Sequence, residues 1–370
     1  MTVNSSLYGR LTWVEKLRLC AVLAFLVFYL CGKAFTLLLS FRRSKSLKVL
    51  LVLSACRFLM DYLSLRQLQY LSPRNLDQYL NWAKERGLPI EVEELPEKGA
   101  NLMWIGKHQT GNVIFYCHGG GYGLPSSAGT FDFCLYVQQQ LEAKGVHANI
   151  ALLTYNLIPD VKYPTPLREA ICAIHHLLER GIKSENIILT GESAGGNLVL
   201  QILSHMLHPL SSINPLSPTL RFRGVCLMSP WVSPSGDVCA DQARANDPKD
   251  DISVRTLREW GQLILKDVPR NLEDMACVEP AGAPKGWFKE VETAVGRILI
   301  LSGEVECMAG AHRFFYEEHL KDYHRHVRVA VQPGGAHDGI LVDFIVGREP
   351  SGGVTPVIIE WLAEAFDHEA

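Results

Sequence analysis

A serine flanked by glycines stands at a predicted junction between a strand and a helix. The stretch is Gly191-Glu192-Ser193-Ala194-Gly195, between an apolar run at 187–190 and an apolar, helix-compatible segment. Such a corner presents a hydroxyl group, and the start of the helix places N–H groups and a positive dipole end beside it. The pattern therefore predicts that Ser193 is a nucleophile, and a glycine-rich structural turn is the alternative.

A second glycine-rich motif, HGGG at 118–121, directly follows a predicted strand at 112–117. Successive glycines let the backbone turn its N–H groups into a cavity, because no Cβ atom stands in the way. Together with the N–H of Ala194, the residue after the serine, these groups can stabilise an oxyanion. A flexible turn explains one or two glycines, whereas this motif paired with a nucleophilic serine predicts acyl-transfer chemistry.

The two motifs HGGGY and GESAGGN resemble the hormone-sensitive-lipase family of α/β-hydrolases, and in particular its fungal steryl acetyl hydrolase-like members. The resemblance covers roughly residues 88–366. It implies a mostly parallel, eight-stranded sheet with helices on both faces, a helical cap, and carboxylester hydrolysis without metal or cofactor. It also implies that Gly120 and Gly121 are oxyanion donors, although the sequence alone leaves Gly119 open, and that His118 supports this loop.

A serine nucleophile needs a histidine base and a carboxylate, which follow the serine in the order acid, then histidine, in this fold. Of thirteen histidines, His337 in PGGAHDG lies on a glycine-rich loop after the last predicted strand and is the expected base. LSGEVECMAG offers Glu304 and Glu306, which are two apart and could face the same way. The family's acid, more often Asp, usually stands two residues before an aliphatic residue, so Met308 selects Glu306 by resemblance, with Glu304 as the alternative. Asp338 is expected to structure the loop.

The elements that must position these residues alternate along the chain, which predicts a parallel sheet covered by helices. Strands are predicted at 90–95, 101–106, 112–117, 149–155, 186–190, 224–229, 297–302 and 327–332. Helices are predicted in 47–87 and at 130–144, 166–180, 194–208, 309–322 and 354–366. We expect an anchor with its flanks at 1–46, N-terminal cap helices at 47–87, and a hydrolase domain at 88–370. The long gap at 230–296 predicts a cap or lid insertion in that domain.

The amino-terminal segment is unusually apolar. Residues 19–41 contain one charge, Lys33, and as a helix would measure about 34 Å, enough to cross a bilayer of about 30 Å. No clear cleavage site follows, which favours an uncleaved single-pass anchor over a removed signal peptide. The orientation is left open because basic residues stand on both sides. The expected location is a membrane, assigned to the endoplasmic reticulum, and the alternative is a hydrophobic cap helix of a soluble enzyme.

Composition narrows the classes of partner. The formal net charge is −3 and no basic stripe dominates, so electrostatics give no reason to expect binding to nucleic acid. The ten cysteines are scattered without metal-ligand spacing, and Cys239 with Cys277 is the pair to test for a disulfide.

These observations predict a membrane-anchored serine carboxylesterase that removes a short acyl group from a hydrophobic alcohol such as a sterol or terpenoid. Only the resemblance points to acetyl. An acyltransferase of secondary metabolism with the same triad is the first alternative. The second is a non-catalytic binding protein, as in the plant gibberellin receptors, which resemble the family but lack the histidine. The oligomeric state and the natural ester are left open.

Overall fold

The computed structural model describes residues 6–39, 46–106, 111–348, 350 and 352–367. Eight strands form one sheet in the order β1-β2-β4-β3-β5-β6-β7-β8. β2 runs antiparallel to its neighbours β1 and β4, and all other neighbouring pairs are parallel. The strands are β1 (Val92–Glu94), β2 (Asn101–Ile105), β3 (Asn112–Cys117), β4 (Ala148–Thr154), β5 (Ile187–Glu192), β6 (Gly224–Met228), β7 (Ile298–Gly303) and β8 (Val327–Gln332). The mostly parallel, eight-stranded sheet predicted from the sequence is confirmed.

Both faces of the sheet are buried. Consecutive side chains of a strand point to opposite faces, so Ile114 and Ile188 belong to one apolar cluster and Phe115 and Leu189 to the other. This explains why the central strands are apolar at nearly every position instead of alternating with polar residues.

Helices cover these faces. Those of the hydrolase core are α5 (Ala128–Ala143), α6 (Thr165–Glu179), α7 (Ala194–Leu207), α12 (Ala309–Phe315), α13 (Gly339–Ile345) and α14 (Thr355–Phe366). α12 continues into a π-helical turn, Tyr316–Leu320, within the segment predicted as one helix.

The amino-terminal part of the chain is helical. It comprises α1 (Trp13–Leu39), α2 (Leu47–Tyr62), α3 (Leu65–Leu71) and α4 (Asn75–Glu85), of which the short α3 was not predicted separately. Among the described residues α1 is the one helix long and apolar enough to cross a membrane, with a mean hydropathy of 2.1.

The segment 230–296 contains α8 (Ala240–Asn246), α9 (Val254–Leu265), α10 (Leu272–Val278) and α11 (Val291–Ala294). α9 lies over the HGGG loop, because a Cβ atom at Gly121 would stand only 2.3 Å from the Trp260 ring. The disulfide considered for Cys239 and Cys277 is wrong, since both are free thiols. Cys277 is buried on α10 with its sulfur directed at the carbonyl of Gln201, 3.8 Å away, whereas Cys239 precedes α8.

Candidate active site

Ser193 lies at the corner between β5 and α7. Its φ of 51° and ψ of −116° give it a backbone conformation that residues other than glycine rarely adopt. Two backbone hydrogen bonds hold the corner, from the Ser193 N–H to the Met228 carbonyl (3.0 Å) and from the Trp231 N–H to the Ser193 carbonyl (2.9 Å). Gly195 is required here because a Cβ atom would stand 1.9 Å from the Cys117 carbonyl oxygen. The serine is therefore held in a strained turn at the carboxyl end of a central strand.

A continuous hydrogen-bonded chain links three of the predicted site residues. The Ser193 hydroxyl lies 2.9 Å from Nε2 of His337, and Nδ1 of the same ring lies 3.0 Å from Oε2 of Glu306. As a carboxylate, Glu306 can only accept hydrogen bonds, so Nδ1 of His337 carries the proton. Nε2 is then free to accept a hydrogen bond from the serine hydroxyl. Ser193 and His337 are each 7% exposed and Glu306 is fully buried. The arrangement can transfer a proton from the serine to a histidine whose charge is then stabilised by the carboxylate.

The buried Glu306 carboxylate is held by several donors at the end of β7. Its Oε1 accepts the Gly303 N–H (2.6 Å) and the hydroxyls of Ser302 (2.9 Å) and Ser229 (3.2 Å). Nδ1 of His312 lies 3.4 Å from the same Glu306 oxygen, and Nε2 of His312 donates to the Pro230 carbonyl (2.7 Å).

These contacts set the pKa of the acid. Burial raises the pKa of Glu306, but His312 and His337 outweigh it and hold this pKa well below its usual range. Glu306 is therefore the negative partner that the base histidine requires.

Glu304 lies apart from this chain. It is exposed, and its Oε2 accepts the Gly334 N–H at 2.7 Å. The expectation that both glutamates could face the same way is wrong, because β7 ends at Gly303 and the following turn does not continue the two-residue period of the strand.

Asp338 adopts a left-handed conformation at the start of α13, as suits a residue that structures a loop. Its Oδ2 also lies 3.3 Å from Nε2 of His337. Burial lowers the pKa of His337, but the carboxylates, chiefly Asp338 and Glu306, outweigh it and raise this pKa above its ordinary value. Burial raises the pKa of Asp338 to about 6. A second carboxylate thus faces the ring nitrogen of His337 that contacts the Ser193 hydroxyl.

Asp250, in the insertion, holds the backbone of the loops that carry His337 and Glu306, and it was not identified from the sequence. Its Oδ1 accepts the His337 N–H (2.7 Å) and its Oδ2 accepts the Cys307 N–H (2.6 Å), next to Glu306. Its own carbonyl accepts Nη1 of Arg57 on α2 (2.7 Å). An acidic run in an insertion matches no motif, so the sequence offered no signal for this role, nor for that of His312.

The HGGG loop runs beside the serine. Gly120 and Gly121 have φ values of 90° and 59°, and a Cβ atom at Gly120 would stand 2.6 Å from the Leu124 carbonyl oxygen. A Cβ atom at Gly119 would lie 3.2 Å from Cβ of Ser193, which shows how closely the loop approaches this serine.

His118 is packed behind the loop. Its ring stacks on Tyr155 with centroids 4.2 Å apart, and Nε2 lies 2.9 Å from the Asn75 amide nitrogen. Nδ1 lies 2.7 Å from the Gly119 carbonyl, to which it donates. Burial lowers the pKa of His118 to about 4, so the ring is neutral. These contacts suit a residue that supports the loop. Over the described part of the chain, no cluster of three His, Cys, Asp or Glu side chains is arranged to hold a metal ion.

Known proteins share this sequence pattern and this fold. Residues 114–341, more than half of the chain, match a sequence family described as an alpha/beta hydrolase fold. The Schizosaccharomyces pombe protein mug81, provisionally named a steryl acetyl hydrolase, is 27% identical over 243 residues, which cover 60% of each chain. Steryl acetyl hydrolase 1 of Saccharomyces cerevisiae is 26% identical over 124 residues, 34% of this chain and 27% of its own. The chain therefore spans less than two thirds of the length of these relatives.

Solved structures agree on the fold. An esterase/lipase from an uncultured bacterium superposes with a TM-score of 0.62 at 17% identity, over 87% of this chain and 99% of its own. An esterase of the bacterial hormone-sensitive lipase family superposes with a TM-score of 0.61 at 19% identity, over 88% of this chain and 100% of its own. The sheet order, the two glycine motifs and these similarities lead to one assignment: the chain belongs to the hormone-sensitive-lipase family of α/β-hydrolases.

Proposed function

We propose that the protein is a serine carboxylesterase with Ser193 as nucleophile, His337 as base and Glu306 as acid. The observation that carries this proposal is the unbroken chain of hydrogen bonds from the serine hydroxyl to the buried carboxylate. Nε2 of His337 takes the hydroxyl proton while Ser193 Oγ attacks the ester carbonyl. The same nitrogen then gives that proton to the leaving alcohol, which leaves an acyl-serine and a free alcohol. Water, deprotonated by the same histidine, attacks the acyl-serine and releases the acid.

The proposed oxyanion donors are the N–H groups of Gly120, Gly121 and Ala194. Donors held in place before the reaction stabilise the charge that develops on the carbonyl oxygen, and losing one typically costs about 10²–10³ in rate. The positive φ values of both glycines support this role, since they turn the backbone in a way that residues with a Cβ atom resist. Ala194 begins α7, so its N–H lies at the positive end of a helix dipole.

The proposed substrate is a short-chain ester of a hydrophobic alcohol such as a sterol or terpenoid. Acetyl is the proposed acyl group. The names of the fungal relatives support both halves of this choice. A mainly apolar cavity of about 490 Å³ lies between α3, the loop at 158–162 and the end of α9. Leu65 lines this cavity and also packs on Gly123, just after the HGGG loop. This position beside the HGGG loop supports the cavity as the proposed site for the alcohol part of such an ester.

The proposed cap consists of α2 and α3 together with α9, set over the hydrolase core. Asp61 on α2 accepts the Thr256 hydroxyl of α9 at 2.9 Å, and Trp260 of α9 covers Gly121. We further propose that α1 attaches the protein to a membrane, in line with its apolar length. The endoplasmic-reticulum location stays a prediction from the sequence.

The test is hydrolysis of p-nitrophenyl esters, from acetate to decanoate, by the full chain in detergent. We expect fastest turnover of the shortest esters and loss of activity in Ser193→Ala, since removal of a triad serine costs about 10⁶-fold in related chemistry. The exposed Ser211 provides the matched control, Ser211→Ala. No turnover together with no labelling by an organophosphate would refute the esterase. Product analysis with added alcohol tests the acyltransferase, because transfer gives a new ester in place of the free acid.

A further inference from the structure

Leu7 and Tyr8, shortly before α1, are bound to the rest of the protein. The Leu7 N–H donates to Oδ1 of Asp160 at 2.6 Å, and the Tyr8 hydroxyl donates to the Ser72 carbonyl at 3.1 Å. The Arg74 guanidinium lies 4.7 Å above the Tyr8 ring. The chain is therefore already attached to the domain when α1 begins.

The helix that follows α1 is bound to the same domain along its length. At one end of α2, Val49 packs in a small cluster with Val342 and Val346 around α13. Farther along, Arg57 donates to the Asp250 carbonyl, and Asp61 accepts hydrogen bonds from the start of α9. Both flanks of α1 thus lie on one body.

α1 itself runs along this body. Near its start, Glu15 forms an ion pair with Arg66 of α3 (2.7 Å), and its carbonyl accepts the Gln67 amide (2.8 Å). Leu19 is 4% exposed, and the Tyr29 ring stacks on Phe58 of α2 at 4.8 Å. These inward residues recur at helical spacing, so one stripe of α1 packs on protein.

The opposite stripe of α1 is apolar and exposed. The large side chains with at least 60% exposure are Trp13, Val14, Leu17, Val27, Phe28, Phe35 and Leu38, together with Phe25, whose ring also stacks on Phe58 at 6.0 Å and marks the edge of this stripe. Soluble monomers rarely expose a continuous apolar patch of this kind, which marks an interaction surface. The ammonium group of Lys16 lies over the Trp13 ring of the same helix, where a long basic side chain can reach lipid headgroups.

We propose that α1 lies in the plane of a phospholipid bilayer surface, with its exposed stripe in the apolar layer and both of its flanks on the side of the catalytic domain. This inference rests on the proposed membrane attachment and replaces the single-pass crossing expected from the sequence. A crossing helix would separate residues 6–12 from α2 by about 30 Å of hydrocarbon. That separation would break the contacts of Leu7, Tyr8 and Glu15 with the domain. An in-plane helix keeps all of them, and it is apolar all round because one stripe packs on protein and the other on lipid.

The decisive measurement is the topology of the two chain ends. The full chain, carrying Ser193→Ala and a different epitope tag at each end, is expressed in yeast, and sealed microsomes are treated with protease. An in-plane helix predicts that both tags share one fate, digested or protected together. A crossing helix predicts that one tag is protected and the other digested, and this result would overturn the proposal. Because the readout needs no catalysis, it is independent of the esterase assay.

Flotation with phosphatidylcholine vesicles, with and without phosphatidylserine, tests the surface itself. We expect Phe28→Asp to weaken binding roughly tenfold or more, because a side chain that enters the apolar layer loses its transfer free energy. Leu272→Asp, at an apolar residue on α10 that is 56% exposed against 73% for Phe28, is the control and should bind like the parent. Hydrolysis of soluble p-nitrophenyl acetate should be the same in both variants. A parent chain that does not float, or that pairs through α1 with a second copy in solution, would contradict the bilayer as partner.

Discussion

Replacing Asp250 by asparagine tests whether the insertion positions His337, the proposed base. The carboxylate accepts two short backbone hydrogen bonds, from His337 and from Cys307, at a site only 5% exposed. An asparagine side chain has one oxygen, so one of these N–H groups would face an amide NH₂ and stay unsatisfied. The variant should still fold, because Asn is nearly isosteric with Asp and keeps the other bond.

The size of the effect follows from that lost bond. An unsatisfied buried N–H costs about 1–3 kcal/mol. If this free-energy cost appears in the transition state because the His337 ring is misplaced, kcat/KM should drop about 5- to 150-fold, at about 1.36 kcal/mol for each factor of ten. The charge has a second effect, because Asp250 is one of the carboxylates that raise the pKa of His337. Only neutral histidine can act as base, so kcat/KM rises with pH through this pKa, and removing the charge should move that rise to lower pH.

The assay is the pH profile of kcat/KM with p-nitrophenyl acetate, measured beside thermal unfolding. Asp322→Asn, at an exposed aspartate, is the control and should match the parent in both measurements. An Asp250→Asn variant with a lower unfolding temperature but the parent's kcat/KM and pH profile would refute a positioning role.

Four further substitutions separate the roles of neighbouring residues. Gly121→Ala should reduce kcat at least about 10²-fold, since the new Cβ meets the Trp260 ring and the φ of 59° opposes it; parent activity would exclude this loop as the oxyanion site. Glu306→Gln should lower kcat about 10³- to 10⁴-fold while Glu304→Gln leaves it unchanged, and the reverse order would reassign the acid. Asp338→Asn should move the acidic limb of the kcat/KM profile to lower pH, because a carboxylate that raises the pKa of the base histidine is removed; a shift to higher pH would contradict the electrostatic argument.

The sequence predicted those parts of the site whose geometry is local. Ser193 could be proposed as nucleophile because its corner needs glycines on both sides, which leaves a short and specific pattern. His337 could be proposed as base because α/β sheets carry their functional loops after the strands, and one histidine follows β8 on such a loop; the structure brings the two side chains together. Glu306 and Glu304 could not be told apart by periodicity, since the chain leaves the strand at Gly303.

Contacts between distant segments were beyond the sequence. Asp250 lies 87 positions from His337, and its role depends on how the insertion folds back over the hydrolase core. The same limit applies to α1, whose composition showed that it is long and apolar. Hydropathy measures transfer from water, and it does not distinguish a helix that crosses a bilayer from one that shares its apolar surface between protein and lipid.

The proposed attachment of α1 in the plane of a bilayer would have a kinetic consequence for the proposed esterase. An enzyme held flat on a bilayer searches for a lipid-dissolved ester by lateral diffusion in two dimensions, at a fixed height above the hydrocarbon. The quantity that governs turnover is then the mole fraction of ester in the bilayer, and bulk concentration matters only through partitioning. Diluting the ester with inert phospholipid should slow the reaction even when the total amounts of enzyme and ester stay the same.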